Sequence, residues 1–407
     1  MAAPRDQASM ERVIDIGQIN QNRGSEPHHR HTTPLEAIIN FTPNSHPPLT
    51  DELRRVAQSK FENICQYVDG LPSEGYSRSE LVRQTYKHAR SEKSQDIFLH
   101  FVFQAIELPI DGEEPFDVQS AGSKLVEFAE CLFNYFFLPL KASAKKTPQP
   151  SPAFSAAVQK FQGHCGQEYT GTESRLSLLR SECLKRDRHR CVISRRFHFS
   201  EYLSRKNNRD KYPRGAEDDD GVPVLNDGSP KPALLEVAHI LPHSLVKLKG
   251  EAGLDESKQY ALGILNMFDV DVAELINGTD IDRPRNAISL TQEFHDHFGN
   301  FRVYFTKSDE DHKYEINSYI EDDIFEPSLP VTRKLFLTPD RTIEPPSPRL
   351  LELHYAISRI LHMSGAGEHI DKILRDAEET GVAKEDGATP LGVLVSLHMR
   401  TADGVLA

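Results

Sequence analysis

Leu234-Leu-Glu-Val-Ala-His239-Ile-Leu-Pro242 and, after a long insertion, Asn286-Ala-Ile-Ser-Leu-Thr-Gln-Glu-Phe-His295-Asp-His-Phe-Gly-Asn-Phe-Arg-Val-Tyr-Phe305 are the two pieces of sequence that decide the fold. The first is an apolar run stopped by a proline, the pattern of a buried strand. Asn286-Ala-Ile-Ser-Leu290 reads as a second strand. Thr291, or Ser289 with Gln292 as a capping box, opens a short helix through Phe294 and Phe298, and Gly299 closes it. The reading is an antiparallel pair, 235–240 with 287–290, under a helix at 291–298. His239 then ends the first strand, Asn286 opens the second, and His295 rides on the helix.

That arrangement has a chemical use. Hydrolysing a phosphodiester takes a general base for the water, a cation on the phosphate oxygens and stabilisation of the leaving oxygen. A neutral imidazole accepts the water's proton. An amide oxygen is a hard ligand of the kind Mg²⁺ prefers, and a second imidazole ligates a softer metal or holds the phosphate.

The order His239, Asn286, His295, with the last two nine positions apart, resembles the HNH endonucleases. Their ββα-metal hairpin presents these groups around one divalent ion. The resemblance implies that His239 is the base, Asn286 a metal ligand and His295 the final motif histidine, also on the metal. The ion implied is Mg²⁺, with Mn²⁺, Ni²⁺ or Zn²⁺ as alternatives, and the substrate is DNA ahead of RNA. Upstream, Lys185-Arg-Asp-Arg-His-Arg-Cys191-Val-Ile-Ser194 resembles the lead-in of many members, especially fungal HNH-domain proteins of otherwise unknown role. The likeness spans roughly 180–306. Two positions depart from the family pattern. Ala238 stands where many members carry Asp or His, and Cys191 has no Cys-x-x-Cys partner pair for a structural zinc. The same resemblance leaves room for a second reading, a catalytically inactive HNH-like module that binds nucleic acid or protein.

Charge is distributed unevenly. The 407 residues carry a net −13, yet 175–214 holds thirteen Lys and Arg against four acids, a local +9 that leaves −22 elsewhere. A basic block beside a phosphodiesterase-like site suits a polyanion, and Arg188, Arg190, Arg195 and Arg196 are the candidate phosphate contacts. Glu217-Asp218-Asp219-Asp220 follows at once and could mask them. Asp269, Asp271 and Asp282 are candidate helpers to a metal.

The rest of the chain frames this unit in an α+β protein. Residues 1–30 read as a disordered tail. A helical domain at 31–140 contains helices from Asp51, from near Ser77 or Ser79, over Gln95–Leu108 and over Ser123–Phe137, rich in phenylalanine and open to a protein partner. Lys141 to Pro152, with three prolines in five residues, starts a linker at 141–153. The HNH-like domain takes 154–340, with a strand at 190–193, a helix over Asp255–Phe268 in the insertion, and a hairpin after Gly299. C-terminal helices follow at 341–383, the first opened by Ser347-Pro348, and 384–407 reads as a loose tail. No apolar run approaches the ~18 residues of a membrane span. The N-terminus has no apolar signal core, and the five cysteines are irregularly spaced. An intracellular protein of cytoplasm or nucleus is the expectation.

Overall fold

The structure is a computed structural model that describes residues 47–111, 115–143, 172–226, 228–242, 263–321 and 324–379. The two tails, most of the linker and the first half of the insertion helix lie outside those residues.

Among the described residues helices dominate, with two small antiparallel sheets, so the chain is α+β. Its N-terminal part, in the described residues, is four helices: α1 (Asp51–Asp69), α2 (Arg78–Lys87), α3 (Glu92–Ala105) and α4 (Val118–Leu132). Each start is fixed by a side chain that accepts from the first orphan N–H groups: Thr50, Ser77, Ser91 and Asp117. A π-helical stretch, Phe133–Phe137, links α4 to α5 (Leu138–Ser143). The first three residues of the linker stretch are therefore still helix, and Lys141 is buried in an ion pair with Asp371.

Next come α6 (Thr172–Arg186), α7 (Phe199–Asn207), β1 (Leu235–His239), a helical turn at 263–268, three short 3-10 turns, β2 (Ala287–Thr291) and α8 (Gln292–Gly299). β1 pairs with β2 antiparallel, Leu235 opposite Thr291 and His239 opposite Ala287. The second sheet is β3 (Val303–Lys307), β4 (Lys313–Ser318) and β5 (Val331–Lys334) in that order. Helices α9 (Pro348–Met363) and α10 (Ala366–Glu379) complete the described chain.

Two local expectations change. Residues 190–193 are not a strand. Arg190 bridges Phe197, and between them the chain turns back, Arg195 N–H donating to Cys191 O with Arg195 at φ +61°. Helix α8 does start after Thr291, but neither a threonine cap nor a capping box forms, and the Thr291 hydroxyl is buried without a partner.

One continuous cluster of buried apolar residues runs from Leu49 to Ala377. Helix α9 is its spine, packing on α2 and on β3. Its His354 ring stacks on Phe298 at 3.9 Å and on Phe301 at 4.7 Å, while its Nε2–H donates to Phe298 O. These contacts tie the end of α8 to a helix that begins some fifty residues later, and so hold the hairpin in place.

Candidate functional site

The hairpin is sandwiched. Pleating sends alternate residues of β1 to opposite faces. Val237 meets Leu176, Leu179 and Cys183 of α6 together with Ala287, so Val237 and His239 face α6. Glu236 and Ala238 face α8, and Glu236 Oε2 lies 2.6 Å from Nδ1 of His295.

His239 is therefore on the α6 side. Its Nε2 is 3.2 Å from Oδ1 of Asp282, and both side chains are 1% exposed. Arg175, from the first turn of α6, donates through Nε to the other oxygen, Oδ2, also at 3.2 Å. A carboxylate held by a cation thus orients the imidazole. When Nε2 carries the proton for that bond, Nδ1 is the basic nitrogen of the neutral ring.

Asn286 is spent on backbone. Its Oδ1 accepts from Leu241 N–H at 3.0 Å, and its Nδ2 donates to Leu241 O at 3.1 Å and to Ile281 O at 3.0 Å. The residue is fully buried, and its own carbonyl accepts from Ile240 N–H. The amide clamps the chain just past His239 to the chain just before β2, which closes the insertion.

His295 is buried against Glu236, on the other face from His239. The structure brings all three motif residues to one hairpin but does not converge them from one side. Among the described residues no group of three or more His, Cys, Asp or Glu is arranged to hold a metal. Asp269, a candidate helper, is paired instead with Arg90 and Arg349.

A brace unseen in the sequence lies beneath. Arg186, fully buried, forks onto both oxygens of Asp187 and donates to the carbonyls of Pro284 and Ala287. Asp187 also accepts from Ser289 N–H, so the pair fixes the start of β2. Arg180 donates to Leu235 O at the far end of β1. Glu236 was not singled out from the sequence either; the signal that marks it is an acid set between the apolar residues of a strand.

Part of the basic block is neutralised from within. Arg188 pairs with Asp220, Arg190 with Asp218, Arg205 with Asp219 and Glu201, and Arg214 with Glu217. Burial alone would raise Asp218, but the Val222 N–H and the Arg190 guanidinium prevail and hold it below the usual carboxylate range. Arg195 sits over the Phe336 ring at 4.3 Å, and burial lowers it to about 10. Arg196 donates to Lys231 O. The acidic run thus pairs with Arg188, Arg190, Arg205 and Arg214 of the block.

Residues 214–306 match the family model of the HNH endonucleases, somewhat under a quarter of the chain. No curated protein and no solved structure matches the chain.

Proposed function

From the premise that residues 214–306 are an HNH endonuclease segment, we propose that the chain is a nuclease-type protein that hydrolyses phosphodiesters of nucleic acid, DNA ahead of RNA, with His239 as the general base. The observation that carries this reading is the His239–Asp282 pair, a buried imidazole oriented by a carboxylate at the strand end where the family places its base. His239 Nδ1 takes a proton from water as the water oxygen bonds to phosphorus. The P–O bond to the leaving sugar oxygen breaks, and that oxygen takes a proton from solvent. Asp282 stabilises the imidazolium that forms, as an oriented carboxylate does for a catalytic histidine.

A divalent ion is the group that the family implies, and the donors do not fit a conventional cage. Ala238 offers no donor atom on the α8 face, the Asn286 amide is occupied by three backbone bonds, and His239 points to the opposite side from His295. What remains is His295 with Glu236 on its Nδ1, one imidazole with an orienting carboxylate.

The same observations favour a second reading, a hairpin kept for binding and no longer for cutting, since the side chain of His239 is 1% exposed. The test is nicking of supercoiled plasmid by purified protein, with and without Mg²⁺, Mn²⁺, Ni²⁺ or Zn²⁺, beside His239→Ala. Nicking lost in the variant supports hydrolysis. Folded protein that binds nucleic acid and never cuts it supports the binding module.

A further inference from the structure

We propose that the outer face of α7 is a docking platform for single-stranded nucleic acid, separate from the hairpin site. The choice of nucleic acid as the polyanion rests on the reading above; the surface itself does not. Phe199, Tyr202, Leu203 and Lys206 fall on one face of the helix by their i, i+3, i+4, i+7 spacing. The opposite face is committed to the protein, with Arg205 buried and bonded to Glu201, Asp219 and the Glu217 carbonyl. The outer face is open: Phe199 is 42% exposed and Leu203 39%, large apolar groups left in water on a nine-residue helix.

Cations frame this apolar face. Lys206, Arg209 and Lys211 are all exposed, and among the described residues none of them makes an ion pair, unlike Arg188, Arg190, Arg205 and Arg214. Lys206 Nζ lies 5.9 Å from the centre of the Tyr202 ring and Lys211 Nζ 5.4 Å from that of Tyr212. The exposed Phe199 ring shares its helix face with Lys206, and the two rings under the lysines, Tyr202 and Tyr212, are half-buried. Rings and unpaired cations together are what a single strand uses, bases stacking on the rings while phosphates meet the charges, without regard to sequence. A duplex hides its base faces and would gain only the charges. A protein partner for the apolar residues would have to be acidic as well.

The platform adjoins the hairpin. Phe199 N–H donates to Ala233 O, His198 bridges Ala233, and Leu235 N–H donates to the His198 ring. Leu234, 61% exposed, is a further large apolar group in water, next to Ala233 and at the start of β1. His239 is four residues further along that strand, about 13 Å at ~3.3 Å per residue. A strand stacked on α7 would thus run beside the hairpin rather than far from it.

Fluorescence anisotropy tests this with full-length protein in EDTA, using labelled oligothymidylate and a duplex of equal length. Oligothymidylate should bind more tightly than duplex. Phe199→Ala should weaken it about tenfold, a typical loss for one stacking ring. Lys206→Gln with Lys211→Gln should flatten the salt dependence by about 1.4, at ~0.7 per phosphate contact on a single strand. Because these side chains face solvent, circular dichroism should be unchanged in both variants. Absence of binding at low salt, or binding indifferent to both changes, overturns the proposal. Equal binding of duplex that ignores Phe199→Ala does so too, leaving charge alone. Self-association lost in Phe199→Ala, with no oligonucleotide bound, would assign the face to a second copy. EDTA suppresses metal-assisted cutting, so failure here leaves the His239 chemistry standing, and failure to nick plasmid leaves the platform standing.

Discussion

His239 and His295 occupy opposite faces of the β1–β2 hairpin, the first bonded to Asp282 and the second to Glu236. The pleat alone dictates this, because Glu236 and His239 are an odd number of residues apart on one strand. The arrangement places the imidazole proposed as the base and the imidazole beside Glu236 on separate faces. It also assigns Asn286, which stands between them in sequence, to holding the loop.

Asn286→Ala should therefore act on stability first. It leaves Leu241 N–H and the carbonyls of Leu241 and Ile281 without their side-chain partner in a buried place. Orphaned buried groups cost ~1–3 kcal/mol each before relaxation, so a loss of about 2–5 kcal/mol is expected. Urea unfolding with and without Mn²⁺ checks this. A loss that is the same in both marks a clamp, while one that appears only with the ion would mark a ligand.

The buried Arg186–Asp187 pair gives a larger effect. Arg186→Ala strands a carboxylate at zero exposure, which typically costs ~3–5 kcal/mol. Replacing both with a matched apolar pair should recover part of that. If the single variant unfolds at the same urea concentration as wild type, the brace carries no weight.

Acid should loosen the fold before most carboxylates titrate. Burial, with Arg180 and His189 nearby, lowers His198 to about 4, and burial lowers His354 to about 3. Both folded values lie below the unfolded ~6.5, so the unfolded chain binds the extra protons. Stability is full above pH ~6.5 and falls as pH drops toward the folded values, by about 1.4 kcal/mol per pH unit for each histidine. Urea midpoints between pH 7 and 5 report it. His354→Phe, which keeps the stacking on Phe298 and Phe301, should lower the slope by that amount; an unchanged slope would refute the assignment.

Neutralising the acidic run should free arginines paired with it. Asp218→Asn and Asp220→Asn together release Arg190 and Arg188, whereas the buried Arg205 keeps Glu201 even when Asp219→Asn is added. Affinity for duplex DNA should rise for every sequence alike, and the salt slope should steepen by up to about 0.9 per freed cation that reaches a phosphate. Filter binding across a salt series measures both. No change would mean that these arginines face away from any nucleic acid.

What could be read in advance follows from the range of the forces. The strand–strand–helix unit was legible because an apolar run, a proline and a closing glycine are local signals, and β1, β2 and α8 lie where those signals put them. The turn at 191–196 was not, because Cys191-Val-Ile looks like a strand. The reversal depends on Arg195 at positive φ and on Val192 N–H meeting Ser289 O, nearly a hundred residues away. The edge strand β5 was missed for a similar reason: Val331-Thr-Arg-Lys334 is mostly polar and gains its order from pairing with β4. In the site, His239 could be named from its motif. Asp282 could be suspected as a carboxylate, but its bond to His239 spans 43 positions that no periodicity connects.

Single-turnover nicking of plasmid by wild type, His239→Ala and Asp282→Asn, each across pH 5.5 to 8.5, tests the central claim most directly. The wild-type rate should climb with pH through the imidazole range, His239→Ala should abolish nicking, and Asp282→Asn should slow it ~10²–10⁴-fold, the span general-base catalysis commands. A His239→Ala protein that nicks as fast as wild type, with the same pH profile, would contradict the claim that His239 is the base.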